Sequence, residues 1–309
     1  MSDAATALLP DDVRILERGW LSSNSVLLRG DGSGAVLVDT GYCTHAEQTS
    51  ALVRHALWGE PLRLIVNTHL HSDHCGGNAR LAAEHGCAIW VPPGELAAIM
   101  AWDEERLSYR PTGQSCDRFA PERAFRPGEV LVQGGREWQV LAAPGHDPHS
   151  VILFEAVTGI LVSADALWEH GFGIVFPELD GSRGFDEVAQ TLDLIAALPV
   201  RLVIPGHGKA FVDAETALQE ARSRLDFFRT HPERHTRHAA KALLVFHMLE
   251  LQRCQRAELL AWLQATPIHV RMWQLHFADR PLPQWSEELL QELCQAKILQ
   301  LEGGIVSVC

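Results

Sequence analysis

No stretch of this 309-residue sequence approaches the roughly 18 consecutive apolar residues of a bilayer-spanning helix, so no membrane partner is expected. The first residues, Met1-Ser2-Asp3-Ala4-Ala5-Thr6, lack the basic and then apolar segments of a secretory signal. No Cys-x-x-Cys pair occurs. The seven cysteines (Cys43, Cys75, Cys87, Cys116, Cys254, Cys294 and Cys309) are odd in number and scattered, which points to reduced thiols in a cytoplasm rather than a disulfide framework. Positive charge is also scarce. Against 39 Asp and Glu stand 26 Lys and Arg, a net of −13, the wrong balance for a surface coated to hold nucleic acid. Internal repeats and low-complexity tracts are absent. What remains is ordinary globular composition, 47% hydrophobic and 21% charged, at a length that suits one large domain with or without a small appendage.

The charge is unevenly placed. Residues 1–218 carry 15 basic against 29 acidic groups, residues 219–309 carry 11 against 10, and this shift suggests a second unit of different character. Short β-rich runs open the chain at residues 13–16, 25–28 and 35–38, the last two separated by the turn sequence Gly30-Asp31-Gly32-Ser33-Gly34. Leu52, Val53 and Ala56 at helical spacing predict a helix over 44–57, and Leu62-Arg63-Leu64-Ile65-Val66 reads as a buried strand. A helix over 77–85, a strand over 88–91 and a helix started by Pro92-Pro93 and running through Trp102 follow. Residues 103–127, with Pro111, Gly113, Pro121 and Pro127, read as a long loop or short helical insert. Strands return at 130–132, 138–141, 151–154 and 160–162, then a helix over 185–198 and a strand over 202–204. Strands and a helix, twice over, suit two packed sheets with helices outside. From Asp213 the pattern is helical, with short helices at 257–263 and 286–295. It closes on a hairpin over 297–308 with a Gly303-Gly304 turn, a winged-helix-like ending.

Set into this frame are five short words: Val38-Asp39-Thr40-Gly41, Thr68-His69-Leu70-His71-Ser72-Asp73-His74, Pro144-Gly145-His146, Ser163-Ala164-Asp165 and Pro205-Gly206-His207-Gly208. Beyond Asp39 they hold five histidines and two aspartates, enough direct ligands for two adjacent divalent cations. His69 and His71, two apart in an extended segment, point the same way and can meet one ion. Asp73 and His74 follow on a turn and can face a second. Each word ends a predicted strand, where a loop projects a ligand without disturbing the core. Imidazole with carboxylate suits Zn2+, and Mn2+ or Fe2+ accept the same donors.

These words resemble the metallo-β-lactamase superfamily, in its hydrolase branch, over residues 36–208. The resemblance implies an α/β fold, a four-layered αββα sandwich with metals at one edge, as a catalytic domain over 1–218. A helical, winged-helix-like domain over 219–309 would follow. It further implies that His69, His71 and His146 hold one metal, that Asp73, His74 and His207 hold the other, that Asp165 bridges both and that Asp39 supports the site from outside. The β-lactamases of that family carry cysteine or serine where Asp165 stands. With no export signal, antibiotic hydrolysis is therefore not the expected role, and the carboxylate resembles enzymes acting on thioesters, lactones or phosphodiesters. The C-terminal pattern is similar, more loosely, to the lactamase-like endoribonuclease group and its bacterial relatives.

Two metals about 3.5–4 Å apart would share a bridging hydroxide at neutral pH, with Asp73 orienting it as the catalytic residue. An ester-type small molecule, a thioester or lactone, is the leading substrate expectation, and single-stranded RNA is the alternative. A non-enzymatic DNA-binding regulator fits poorly, because a structural site needs only one closed metal. His149, three residues after His146, is a candidate for proton donation or substrate contact. Trp168 and Phe172, in the Gly-rich stretch after Asp165, suit a pocket wall. Cys75, beside a ligand, reads as inert packing. Arg222 opens a basic run with Arg224, Arg229, Arg234, Arg237 and Lys241 that could hold a phosphate or similar anion. The C-terminal unit, at a net of +1, is expected to serve packing or homodimerisation before nucleic-acid binding.

Overall fold

The computed structural model describes residues 3–30 and 32–309, so Met1, Ser2 and the turn residue Asp31 lie outside it. Among the described residues the strands form a six-stranded sheet, a five-stranded sheet and a small three-stranded one. The first sheet contains β1 (Val13–Leu16), β2 (Ser25–Leu28), β3 (Ala35–Val38), β4 (Leu62–Val66), β5 (Ala88–Val91) and β6 (Arg123–Ala124), in that spatial order. β1 to β3 are antiparallel and β3 to β6 parallel. The parallel crossovers need helices, supplied by Ala46–Leu57 between β3 and β4 and by Asn78–His85 between β4 and β5. The second sheet contains β7 (Val130–Gln133), β8 (Arg136–Ala142), β9 (Val151–Glu155), β10 (Ile160–Ala164) and β11 (Leu202–Pro205). β7 to β10 form an antiparallel meander, and β11 joins β10 in parallel through the helix Phe185–Ala196.

Alternation along the strands explains the layers. Val26, Leu28, Val36, Val38, Leu64 and Val66 point inward and meet Trp138, Val140, Leu153, Val162 and Ile204 of the second sheet. Their neighbours Leu27, Leu37 and Ile65 point outward against Val53, Leu57 and Leu81 of the helices. Ile152, Phe154, Leu161 and Val203 do the same on the far side, under Val188, Leu192 and Ile195. Sheets covered on both faces give strands that are buried along their whole length and mostly apolar, as β2, β3, β9, β10 and β11 are. The result is the expected αββα sandwich.

Asp213 starts the C-terminal helices by accepting the Thr216 N–H at 3.0 Å, which caps the helix Ala214–Thr230. Residue 219 lies inside that helix, and its buried face (Ala217, Leu218, Ala221, Leu225 and Phe228) packs on the outer layer of the second sheet. The helices Pro232–Leu251, Arg256–Ala265, Pro267–His276 and Leu282–Gln295 surround a separate core built on Met248, Leu263, Met272, Trp285 and Leu289. That core also takes in Leu179, with Ile174 and Phe176 packed against it, so the segment after Asp165 is shared with the helical unit. The hairpin β13 (Leu299–Glu302) and β14 (Ile305–Val308) closes the chain, and β12 (Arg253–Gln255) pairs with β14 as a third strand. The last helix starts four residues before its expected position, at Leu282. Pro283 sits in the first turn, where its missing N–H costs no hydrogen bond. No helix among the described residues is long and apolar enough to cross a membrane.

Candidate metal centre and its cavity

β3, β4, β8, β10 and β11 all end at one edge of the sandwich, and each of the five words sits on the last residues of one of them or in the loop that follows. The sandwich therefore gathers residues up to 168 positions apart. Three overlapping groups result whose ligand atoms all lie within 4.8 Å of one another: His69, His71 and His146; His69, His74 and Asp165; Asp73, His74 and His207. Asp165 stands between them. Its Oδ1 is 3.5 Å from His74 Nε2, and its Oδ2 is 3.3 Å from His146 Nε2 and 3.9 Å from His207 Nε2. Asp73 Oδ2 lies 3.0 Å from His207 Nε2 and 3.9 Å from His74 Nε2.

The outer partners fix which imidazole nitrogen faces inward. Asp39 Oδ2 accepts from His74 Nδ1 at 2.8 Å. The same carboxylate accepts the Thr68 N–H at 2.9 Å and the Thr68 hydroxyl at 2.7 Å. With its proton committed, Thr68 Oγ1 can only accept from His69 Nδ1, 3.1 Å away. His146 Nδ1 donates to the Ile174 carbonyl at 2.6 Å. Three rings thus turn Nε2 towards the centre, and the Nε2 atoms of His69 and His74 are buried with no hydrogen-bond partner. Orphaned, inward-aimed lone pairs of this kind are what a metal ion would satisfy. His71 Nδ1 lies 2.8 Å from His146 Nε2, so a fourth imidazole nitrogen converges on the same point.

The electrostatics agree. Burial, then the neighbouring imidazoles, push His69 well below its ordinary pKa and His71 down to about 3, so both stay neutral and able to ligate. Burial alone would lower His74 too, yet Asp165, Asp39 and Asp73 outweigh it and hold His74 well above its ordinary value. Burial likewise opposes ionisation of Asp165, and His74, His207 and His146 override it to hold that carboxyl well below the usual range. The three carboxylates around His74 demand a positive charge, which a proton or a cation can supply.

Asp39 adopts φ 58° and Ala164 φ 46°, left-handed conformations rare outside glycine. Both sit at strand ends beside the site, the usual place for stored backbone strain. Because asparagine tolerates this region, Asp39→Asn isolates the carboxylate's role from its backbone. An amide has one accepting oxygen, so it cannot take the Thr68 N–H on one side and His74 Nδ1 with the Thr68 hydroxyl on the other. With the oxygen kept on the Thr68 N–H, the amide NH2 faces His74 Nδ1 and the inward tautomer of His74 is lost. The expected result is metal affinity or activity lower by about 10–100-fold, read by metal titration. Unchanged affinity would show that His74 needs no such partner.

A cavity of about 680 Å³ opens over the centre, lined on one side by His71, Asp73, His146, Asp165 and His207. Opposite stand Val245, Phe246 and Leu249 of the helix Pro232–Leu251, with Leu293 and Ile298. Trp168 lines it and donates Nε1–H to Asp165 Oδ1 at 3.3 Å. Phe172 is instead 3% exposed and packs in the outer core against Phe228. Arg222 faces away and pairs with Asp193 at 2.7 Å. His149 lines a second cavity, of about 480 Å³, which shares His71 and Phe176 with the first. Cys75 is buried beneath the ligand loop, where burial raises its thiol pKa well above the ordinary value.

Two contributors, Trp20 and Asn24, carried no signal in the sequence, and a third, Phe176, stood in the aromatic stretch after Asp165 with ordinary core packing as an equal reading. Trp20 stacks on His207 with centroids 5.2 Å apart, and Phe176 packs on His71 at 4.5 Å. Asn24 clamps the His207 loop by donating Nδ2–H to the carbonyls of Pro205 and Gly208, at 2.9 and 2.8 Å. Trp20 and Asn24 lie outside any of the five words, legible only through their neighbours in space.

Comparison with known proteins agrees with this geometry. The sequence model of the metallo-beta-lactamase superfamily matches residues 18–207. The hydroxyacylglutathione hydrolase GloC of Haemophilus influenzae is 25% identical over 201 residues, 64% of this chain and 91% of that protein. The acyl-coenzyme A thioesterase MBLAC2 of Gallus gallus is 28% identical over 163 residues, 48% of this chain and 57% of that protein, so the chain spans a little over half of that relative's length. In fold, a crystal structure of a metallo-beta-lactamase family protein from Thermus thermophilus aligns over 98% of this chain and 100% of its own, with a TM-score of 0.57 and 21% identity. With the ligand words in place at the sandwich edge and the family model covering more than half of its length, the chain belongs to the metallo-beta-lactamase superfamily.

Proposed function

We propose that this chain is a thioester hydrolase that works with two divalent metal ions, Zn2+ first among them. His69, His71 and His146 would hold one ion and Asp73, His74 and His207 the other, with Asp165 reaching both. The observation that carries the reading is the interlocked donor set, with the Nε2 atoms of His69 and His74 buried, inward and without a hydrogen-bond partner. Two relatives named for hydroxyacylglutathione and acyl-coenzyme A hydrolysis favour a thioester. The apolar wall of Ile174, Val245, Phe246 and Leu249 suits an acyl chain better than a ribose-phosphate backbone.

When bound, such a metal pair supplies Lewis-acid polarisation of a carbonyl and lowers the pKa of a water towards ~7. The chain's own side chains do the positioning. Asp73 Oδ2, beside His207, accepts a hydrogen bond from the attacking water and orients it. Trp168 steadies the Asp165 carboxylate through its indole N–H. Trp20 and Trp168 brace the His207 ring, and Phe176 shields His71 and His146 from solvent.

The test begins with elemental analysis of purified protein, where about two ions per chain are expected. Acyl-coenzyme A, glutathione thioesters, lactones and labelled RNA are then assayed before and after chelation. Turnover of a thioester that is lost on chelation, restored by Zn2+ and absent in His69→Ala is the expected result. RNA cleavage that vanishes in His69→Ala, with every thioester untouched, would replace this reading with the ribonuclease one.

A further inference from the structure

The basic run at 222–241 resolves into five neutralised groups and one that is not. Arg222 pairs with Asp193, Arg229 with Asp186, Arg234 with Glu233, and Arg237 and Lys241 share Glu292. Arg224 has no carboxylate partner among the described residues, in a chain with a large acidic excess. It alone of the arginines in this run lines the cavity over the metal centre. Its Nη2 donates to His238 Nε2 at 2.8 Å and its Nη1 to the His170 carbonyl at 3.4 Å. Burial, then Arg224 and Lys241, push His238 down to about 4, so this partner is neutral and leaves the guanidinium charge uncompensated.

Arg224 is also held in place. Its guanidinium lies 5.3 Å from the centroid of Phe228 and 5.9 Å from that of Phe172. The loop that carries Asp165 and Trp168 folds back over it. Trp168 N–H donates to Gly171 O at 2.7 Å, and a Cβ on Gly171 would stand 2.9 Å from Arg224 Nη1. One tight turn thus ties this cation to the metal-facing carboxylate. A fixed, unpaired guanidinium facing a partly apolar cavity is a receptor for an oxyanion, since its planar donors match a carboxylate or phosphate in pairs.

We propose that Arg224 anchors an oxyanion, carboxylate or phosphate, carried on the substrate, and so selects anionic over neutral thioesters. This rests on the thioester reading above and adds the substrate's charge. Four butyryl-sized probes test it: the neutral butyryl thioester of N-acetylcysteamine, the succinyl thioester of the same thiol, S-butyrylglutathione and butyryl-coenzyme A. The wild type is expected to prefer at least one anionic probe by about 10- to 100-fold in kcat/KM, the scale of one charged hydrogen-bonded pair. Arg224→Met should erase that preference, mainly through KM, whereas Arg222→Met should not. Whether succinyl and glutathione or coenzyme A is favoured separates a carboxylate from a phosphate. No preference in the wild type, or an equal loss on the neutral probe in Arg224→Met, overturns the proposal.

A binding arm keeps the two readings distinguishable. S-butylglutathione and S-butyl-coenzyme A, which cannot be hydrolysed, are titrated calorimetrically into wild type and Arg224→Met. If no thioester is turned over, the thioester reading fails. Weaker binding of either thioether to Arg224→Met then still supports the anion anchor, and equal binding of both overturns it.

Discussion

Asp165→Ala should yield a folded protein that holds fewer than two metal ions and has lost at least about a thousandfold in hydrolysis. The carboxylate lies within 4 Å of three imidazoles that belong to different ligand groups. Removing it therefore unlinks the two halves of the site rather than trimming one of them. Metal-derived stabilisation of a reacting carbonyl is worth several kcal/mol. At 1.36 kcal/mol per decade, losing about 4 kcal/mol gives the thousandfold figure. The fold should persist, because Asp165 contributes nothing to the apolar cores on either side of the sheets. Near-ultraviolet circular dichroism reports folding, elemental analysis the metal content, and a single-turnover assay the rate. Wild-type turnover by a folded Asp165→Ala protein would remove Asp165 from the centre and the metal pair with it. A second readout is thermal. Ligands that bind only the native state raise the melting temperature, so metal-loaded wild type should melt above the variant and chelation should close the gap.

How much of this was legible in advance follows from where the physics is local. Strands buried on both faces, such as Ala35–Val38 and Leu202–Pro205, are continuous apolar runs, and all ten strands expected from such runs are present. The two that were not expected, Arg123–Ala124 and Arg253–Gln255, are only two and three residues long, too short to show an alternating or continuous apolar pattern. The metal words were legible because several chemically demanding residues recur at fixed spacing. Asp39 owes its place beside His74 to the same motif. Phe172 and Arg222 were misplaced for one reason: sequence position gives the element, while the face depends on packing partners. Phe172 turns into the core beneath the helix Ala214–Thr230, and the cavity is left to Trp168, four residues earlier. Arg222 and Arg224 are two apart on that helix, which sends one to Asp193 and the other to the cavity.

Gly206→Ala is expected to damage the centre almost as severely, by adding one methyl group. A Cβ at this position would lie 2.2 Å from Asp165 Oδ1, 3.0 Å from His74 Cε1 and 3.1 Å from the Ala164 carbonyl carbon. The glycine cannot step back, because its N–H donates to Ala164 O at 2.7 Å and its carbonyl accepts the Asn24 N–H at 2.7 Å. Asp165 must therefore move. A shift of about 1 Å at a reacting centre costs on the order of a hundredfold in rate, and overpacking adds about 1–3 kcal/mol of destabilisation. Gly208→Ala supplies the contrast. Nothing lies within 4 Å of a Cβ there, and its φ of +85° makes the cost purely one of backbone conformation, about 1–2 kcal/mol. Both variants should melt earlier than wild type, but only Gly206→Ala should lose metal. Gly206→Ala with two ions and full activity would mean that Asp165 can shift without consequence, which a carboxylate shared between two metal ions could not do.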